Sequence, residues 1–226
     1  MSYAVLDLET GSQCKYERVA SPFYNKIIAI GLKYPNIQEP ETYFQDYMPV
    51  NWSTNIAIII AHNAKFDHMY LWHTPELKSF LARRGKIWCT QLAEYMLTGQ
   101  QHKYPALRDI AVNKYGCKER VKHIEKYKIG KHIDMSTVPE EEILEDVQND
   151  VLDTEQVALG QVKRAKQLGM YNLIKAEMDG LLATTEMEIN GFKVNLETLQ
   201  NNRSTLQLER DKQYKLLMEI VDRYWR

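Results

Sequence analysis

The chain has 226 residues, 44% of them hydrophobic, which argues against wholesale disorder and supplies apolar surface for a real core. Its net charge of −1 argues against a uniformly basic nucleic-acid binder, so any such affinity rests on local patches. Cys14, Cys89 and Cys117, with no C-x-x-C spacing, speak against a disulfide frame or structural zinc and fit a reducing compartment.

The N-terminus enters a strand at once, with no basic segment leading into an apolar one. No run approaches the roughly 18 apolar residues of a membrane span. A soluble, intracellular, cytoplasmic protein with no membrane association is expected. Short β-like runs follow at Ala4–Leu6, Lys26–Leu32 and Glu41–Tyr47, separated by Gly, Pro, Ser and Asn. Asn55–Ala61 ("NIAIIIA") is a continuous apolar run, expected as a strand buried on both faces. The period then changes: Phe66–Trp72 and Pro75–Arg84 read as helices, Lys86–Thr90 as a strand, and Gln91–Leu97 and Ala106–Tyr115 as helices. Strands first, then strand and helix alternating, predict an α/β fold with a mixed sheet flanked by helices.

One long helix is predicted from Pro139 to about Leu168, with Leu144, Val147, Val151, Ala158, Val162 and Ala165 as its stripe and Gly169 as its stop. A helix at roughly Leu173–Glu186 precedes "MEINGFKVN", where Asn190-Gly191 signals a hairpin. Asn195 is placed to cap a last helix. The expected division is residues 1–168 as one domain and 169–226 as a helix–hairpin–helix appendage.

Three segments concentrate carboxylates. In "YAVLDLETGS", Asp7 and Glu9 lie at i and i+2 of a strand and therefore face the same way. After the buried strand, "AHNAKFDHMYLW" places His62 and Asn63 at the strand end and Phe66-Asp67 at a helix start, where α/β sheets tend to hold sites. Helix capping accounts for Asn63 equally well. "PEEEILEDVQNDVLDTE", Pro139–Glu155, has eight acidic residues and no basic one. Glu140–Glu142 suit the helix N-terminus, and Asp146 and Asp153 read as a solvated face, whereas Asp150 flanks the core without an ordinary explanation. Four carboxylates meeting at one point must either bind protons more tightly or bind cations. An oxygen-only set favours Mg2+ or Mn2+ over zinc, and a pair of such ions hydrolyses phosphodiesters.

"LDLET", "NAKFD" and "DVLDT" resemble, in order and spacing, the D-x-E, N-x3-F-D and D-V-x-x-T motifs of the DEDD superfamily of 3′–5′ exonucleases. That resemblance covers about residues 1–168. It implies a ribonuclease-H-like fold and two Mg2+ or Mn2+ ions held by Asp7, Glu9, Asp67 and Asp150. Thr10 and Gly11 would meet the terminal nucleotide through backbone N–H groups, and Asn63 and Phe66 would be wall residues, Phe66 serving the core more than base stacking. "EMEINGFKVNLETLQ" resembles the segment joining proofreading exonuclease to polymerase in phage-type family A DNA polymerases. This implies single-stranded or frayed DNA 3′ ends as substrate, a polymerase domain or subunit as partner, and the host cytoplasm as location if the chain is phage-encoded. One departure stands out. The family positions the attacking water with Tyr four residues before the last Asp or His five before; here Asp146 and Glu145 stand there. Asp146 is expected to orient or deprotonate that water, the alternatives being a solvent-facing Asp146 or an inactivated variant.

Lys114–Lys131 holds seven Lys or Arg against two Glu, with Tyr115 and Tyr127 interleaved, and reads either as a phosphate-tracking surface or as a solvated face. Trp72 and Trp88 read as packing residues, and no cysteine has a nucleophile's surroundings. Two rival functions remain open: a ribonuclease D-like exoribonuclease, and a nucleic-acid-binding module with an impaired site.

Overall fold

A computed structural model describes residues 2–11, 21–44, 52–101, 105–129, 132–133 and 135–225. Its centre is a five-stranded sheet. Strands β1 (Tyr3–Thr10), β2 (Ile27–Lys33), β3 (Glu41–Phe44), β4 (Ile58–Ala61) and β5 (Lys86–Cys89) lie in the order β3-β2-β1-β4-β5. β1 runs antiparallel to β2 and parallel to β4, so the sheet is mixed, as the alternation of elements predicts. Ala4, Val5 and Leu6 are fully buried because β1 is central and covered on both faces. On β1, β4 pairs only with Tyr3–Val5. The second half of β1, which carries Asp7 and Glu9, therefore runs past the end of β4.

Helices α1 (Ala64–Leu71), α2 (Pro75–Ala82), α3 (Thr90–Leu97) and α4 (Leu107–Tyr115) follow β4 and β5. A 3-10 turn at His123–Tyr127, a two-residue ribbon of β6 (Lys128–Ile129) with β7 (His132–Ile133), and a second 3-10 turn at Met135–Thr137 lead into α5 (Glu140–Gln167). α5 lies against β1 and β2. Val147 and Val151 are fully buried over Gly31, where an added Cβ would meet Val147 Cγ1 at 2.5 Å and Val151 Cγ2 at 2.6 Å. Glycine at 31 is what lets the helix come this close. Lys33 and Glu155 close the contact with a 2.8 Å ion pair, which the Tyr3 hydroxyl joins by donating to Glu155 at 2.8 Å. Glu94 of α3, fully buried, accepts from Lys114, Tyr115 and Gln161 and so ties α3, α4 and α5 together.

Some expected boundaries move. β4 starts at Ile58 rather than Asn55: Ile56 closes a turn by donating its N–H to the Ser53 carbonyl, and Ala57 donates to Ser2, just before β1. Residues 45–47 of the third expected strand lie outside the described residues. The buried stripe of α5 includes Ile143, Asp146, Asp153, Thr154 and Gln161, so it is wider and more polar than the apolar pattern implied. The hairpin at Asn190-Gly191 is replaced by a helix end. α6 runs unbroken over Tyr171–Asn190, and Gly191 has φ 61, the left-handed conformation that ends helices. Asn-Gly is as good a helix terminator as a hairpin turn, and the flanking runs here are too short to fix strands.

The chain forms two compact units, Met1–Ile189 and Asn190–Arg226. Within the first unit, α6 buries Ile174 and Met178 in the main core. The second unit is chiefly α7 (Leu196–Trp225), whose N-terminus Asn195 caps by accepting the Thr198 N–H at 3.1 Å. No helix among the described residues is long and apolar enough to cross a membrane.

Candidate active site

Pleat geometry turns Asp7 and Glu9 toward one face of β1, and the close approach of α5 at Gly31 brings Asp150 to them. Carboxylate oxygens of Asp7, Glu9 and Asp150 all lie within 4.8 Å of one another. Asp67, in the first turn of α1, is 2% exposed and stands beside this set rather than within it. Its carboxylate reaches the Leu8 backbone N–H, on the stretch of β1 that β4 no longer covers. Four acidic groups from β1, α1 and α5 thus share one place, three of them close enough to share one cation.

The electrostatics are those of crowded charge in a dry site. Burial pushes the Asp7 carboxyl well above the usual carboxylate range, and repulsion from Asp150, Asp67 and Glu9 adds to it. Burial also raises Asp67, against the pull of its own and the Leu8 N–H groups. Glu9 is raised by burial as well, with Lys122 opposing. Oxygen-only donors of this charge suit a hard divalent cation such as Mg2+ or Mn2+, which would replace the protons that crowding favours.

One resident cation is already present. Lys122 Nζ lies 2.6 Å from Asp150 Oδ2 and 3.3 Å from Glu9 Oε1. Burial alone would lower its pKa; Glu9 and Asp150 outweigh that and raise it. The sequence reading missed this residue by treating its basic tract as a surface. The available signal was complementarity: an acidic helix face without counter-charge, and one basic tract to supply it. Arg120 pairs with Asp153 at 3.3 Å and donates to Asn149, Lys126 pairs with Glu142 at 3.5 Å, and Lys114 pairs with Glu94 at 2.8 Å. Much of the tract is thus committed to acidic groups of the protein, not spread as a phosphate track. Gly130 and Lys131 at its end lie outside the described residues.

Asp146 lies beside the cluster, close enough for its charge to act on Glu9. It is 1% exposed, and its two oxygens accept the N–H groups of His123 at 2.9 Å and Ile124 at 2.8 Å. It anchors the turn after Lys122. Asp153 is also buried, at 8%, so neither residue belongs to a solvated face. Both are covered because the loop bearing Lys122 folds over α5. Glu145 is mostly exposed, with His123 Nε2 at 3.3 Å.

The remaining predicted residues divide. Thr10 ends β1 next to a register shift after Glu9. The Gly11 N–H donates to the Lys26 carbonyl at 3.0 Å, so it is part of the fold rather than a contact held for a nucleotide. Asn63 does not cap α1 with its side chain; it takes a left-handed conformation, φ 57, and borders a cavity of about 310 Å³ lined also by Cys89, Leu92, Tyr95 and Leu181. Phe66 is half-buried, with its ring 5.0 Å from that of Tyr70, and is not among the fully buried core residues. Trp88 is packing, its indole donating to Gln161. Cys89 and Cys117 are buried thiols whose pKa burial pushes up, which disqualifies them as nucleophiles. Cys14 lies outside the described residues.

No family model matches the chain, and no curated protein matches it. Solved structures do. Brucella melitensis NrnC is similar at TM-score 0.62 and 15% identity, over 84% of this chain and 86% of that one. The same protein with bound Mg2+ gives 0.59 at 16% identity, over 84% and 86%. Bound to pGG it gives 0.58 at 14% identity, over 84% and 85%. At these identities the likeness is one of fold: an α/β, ribonuclease-H-like mixed sheet flanked by helices.

Proposed function

We propose that this chain is a divalent-metal-dependent 3′–5′ exonuclease that trims DNA 3′ ends. The observation that carries the reading is the meeting of Asp7, Glu9 and Asp150 within 4.8 Å, with Asp67 beside them. The fold likeness to a nuclease, seen with Mg2+ and with pGG, supports it. Asp7, Glu9 and Asp150 would hold one ion, and Asp7 with Asp67 a second. When bound, such a pair supplies an activated water and charge neutralisation at the leaving 3′ oxygen. The protein's own part is to hold the carboxylates close together and aimed in a buried site, where a bound cation would take the place of the protons that crowding favours. Asn63, Thr10 and the Phe66 ring would border the terminal nucleotide.

DNA is favoured by the resemblance of residues 186–200 to the family A proofreading junction, which also makes a polymerase the natural partner. An exoribonuclease is the second reading, favoured by the NrnC complex with pGG. Release of labelled 3′ nucleotides from matched DNA and RNA oligomers, with Mg2+ or Mn2+ and with EDTA, tests both. The expected result is metal-dependent release from DNA, abolished by EDTA and reduced at least about 10³-fold by Asp7→Ala. Release by Asp7→Ala at the wild-type rate would remove the carboxylate site from the reaction. Binding of oligomers without release would make the chain a binding module.

A further inference from the structure

By resemblance, the tyrosine or histidine that should position the attacking water is missing, and Asp146 in its place accepts two backbone N–H groups, one on each oxygen. The structure supplies a different group at the same site. Lys122 extends from the loop before the 3-10 turn, and the described residues take two of its three N–H donors, through Asp150 at 2.6 Å and Glu9 at 3.3 Å. Its backbone is pinned on the C-terminal side. Asp146 accepts the next two N–H groups, and Ile124 is buried in a cluster with Met135, Val138, Ile143 and Val147. Ordering a lysine this far sacrifices nearly all its rotamer freedom, and a solvated surface lysine shows no such fixation.

We propose that Lys122 is the positioning residue of this site: its remaining N–H orients the attacking water and its charge meets the phosphate, while Asp146 holds its turn. The proposal rests on the nuclease reading above. It replaces a side chain of α5 by one that arrives from the loop, with α5 reduced to the anchor. The simpler alternative is a filler, a counter-ion that only neutralises carboxylates until metal arrives.

The two differ in what Lys122→Met does. Either way, removing a positive charge beside Asp150 and Glu9 tightens Mg2+ binding, by about tenfold in calorimetry. A positioning residue also loses kcat by about 10²-fold at saturating Mg2+ with KM little changed, and Lys122→Arg restores part of it. Tighter Mg2+ binding with wild-type kcat makes Lys122 a filler and overturns the proposal. Weaker Mg2+ binding in Lys122→Met means the lysine merely props the carboxylates, which overturns it equally. A wild-type protein that releases no nucleotide sinks the nuclease reading itself, a failure seen before any variant is compared.

Discussion

Asp146 shows how one residue can carry a structural task that its place in the sequence does not announce. A carboxylate four residues before Asp150 is on the correct helix face for chemistry, yet its two oxygens meet the N–H groups of His123 and Ile124. Ile124 is 5% exposed, so its N–H has no easy recourse to water. Orphaning a buried donor costs about 1–3 kcal/mol. Asp146→Ala is expected to lower stability by that order, and Asp146→Asn by less, since the amide keeps one acceptor oxygen. Urea titration measures both. An alanine variant with an unchanged midpoint would mean that the turn bearing Lys122 is not held by Asp146. The sequence could not show this, because the acceptor's partners are main-chain groups 22 and 23 residues away.

Between elements, the contact that matters is α5 against the sheet at Gly31. An alanine there places a methyl 2.5 Å from Val147 Cγ1 and 2.6 Å from Val151 Cγ2, and those valines precede and follow the Asp150 turn. Overpacking of this kind costs about 1–3 kcal/mol, and the helix must move outward to relieve it. Gly31→Ala should therefore lower thermal stability and weaken Mg2+ binding together. Gly180→Ala is the counterpart: nothing lies within 4 Å of its Cβ position in α6, so it should gain about 0.5–1 kcal/mol and leave Mg2+ binding alone. Full-strength Mg2+ binding by Gly31→Ala, despite lost stability, would mean Asp150 does not depend on this contact. The elements themselves were readable where a period repeats, as in β1 and α5. They were misread at Asn190-Gly191, where a dipeptide serves two structures and only the packing of α6 decides. The cover over Asp146 and Asp153 is written in no local pattern; only the charge complementarity of a basic tract and an acidic helix points to it.

For the molecule as a whole, the carboxylates could be matched by type from three separate stretches, but Lys122 joins Glu9 across 113 positions and no periodicity reports that. The charge so gathered makes stability depend on pH in a way that metal should expose. Burial raises Asp7, Glu9 and Asp67 above their ordinary values of 3.8, 4.5 and 3.8. Folding thus binds protons more tightly at these sites. Their stabilising contribution is full below the unfolded values and is lost as pH rises through the raised folded ones. Buried His62 and His68 act oppositely: burial lowers both to about 4 from 6.5, so what they contribute is lost as pH falls across that interval. The two trends offset, and a melting curve against pH alone separates nothing. Mg2+ does, because it competes with protons for the carboxylates and leaves the histidines untouched. Lys122, raised further above 10.5, stays charged throughout. The rise in melting temperature given by saturating Mg2+ should be small near about pH 5 and grow toward about pH 8, and Asp7→Ala should remove most of it. A rise that is equal at both pH values, or that survives Asp7→Ala, would place the bound metal away from this cluster.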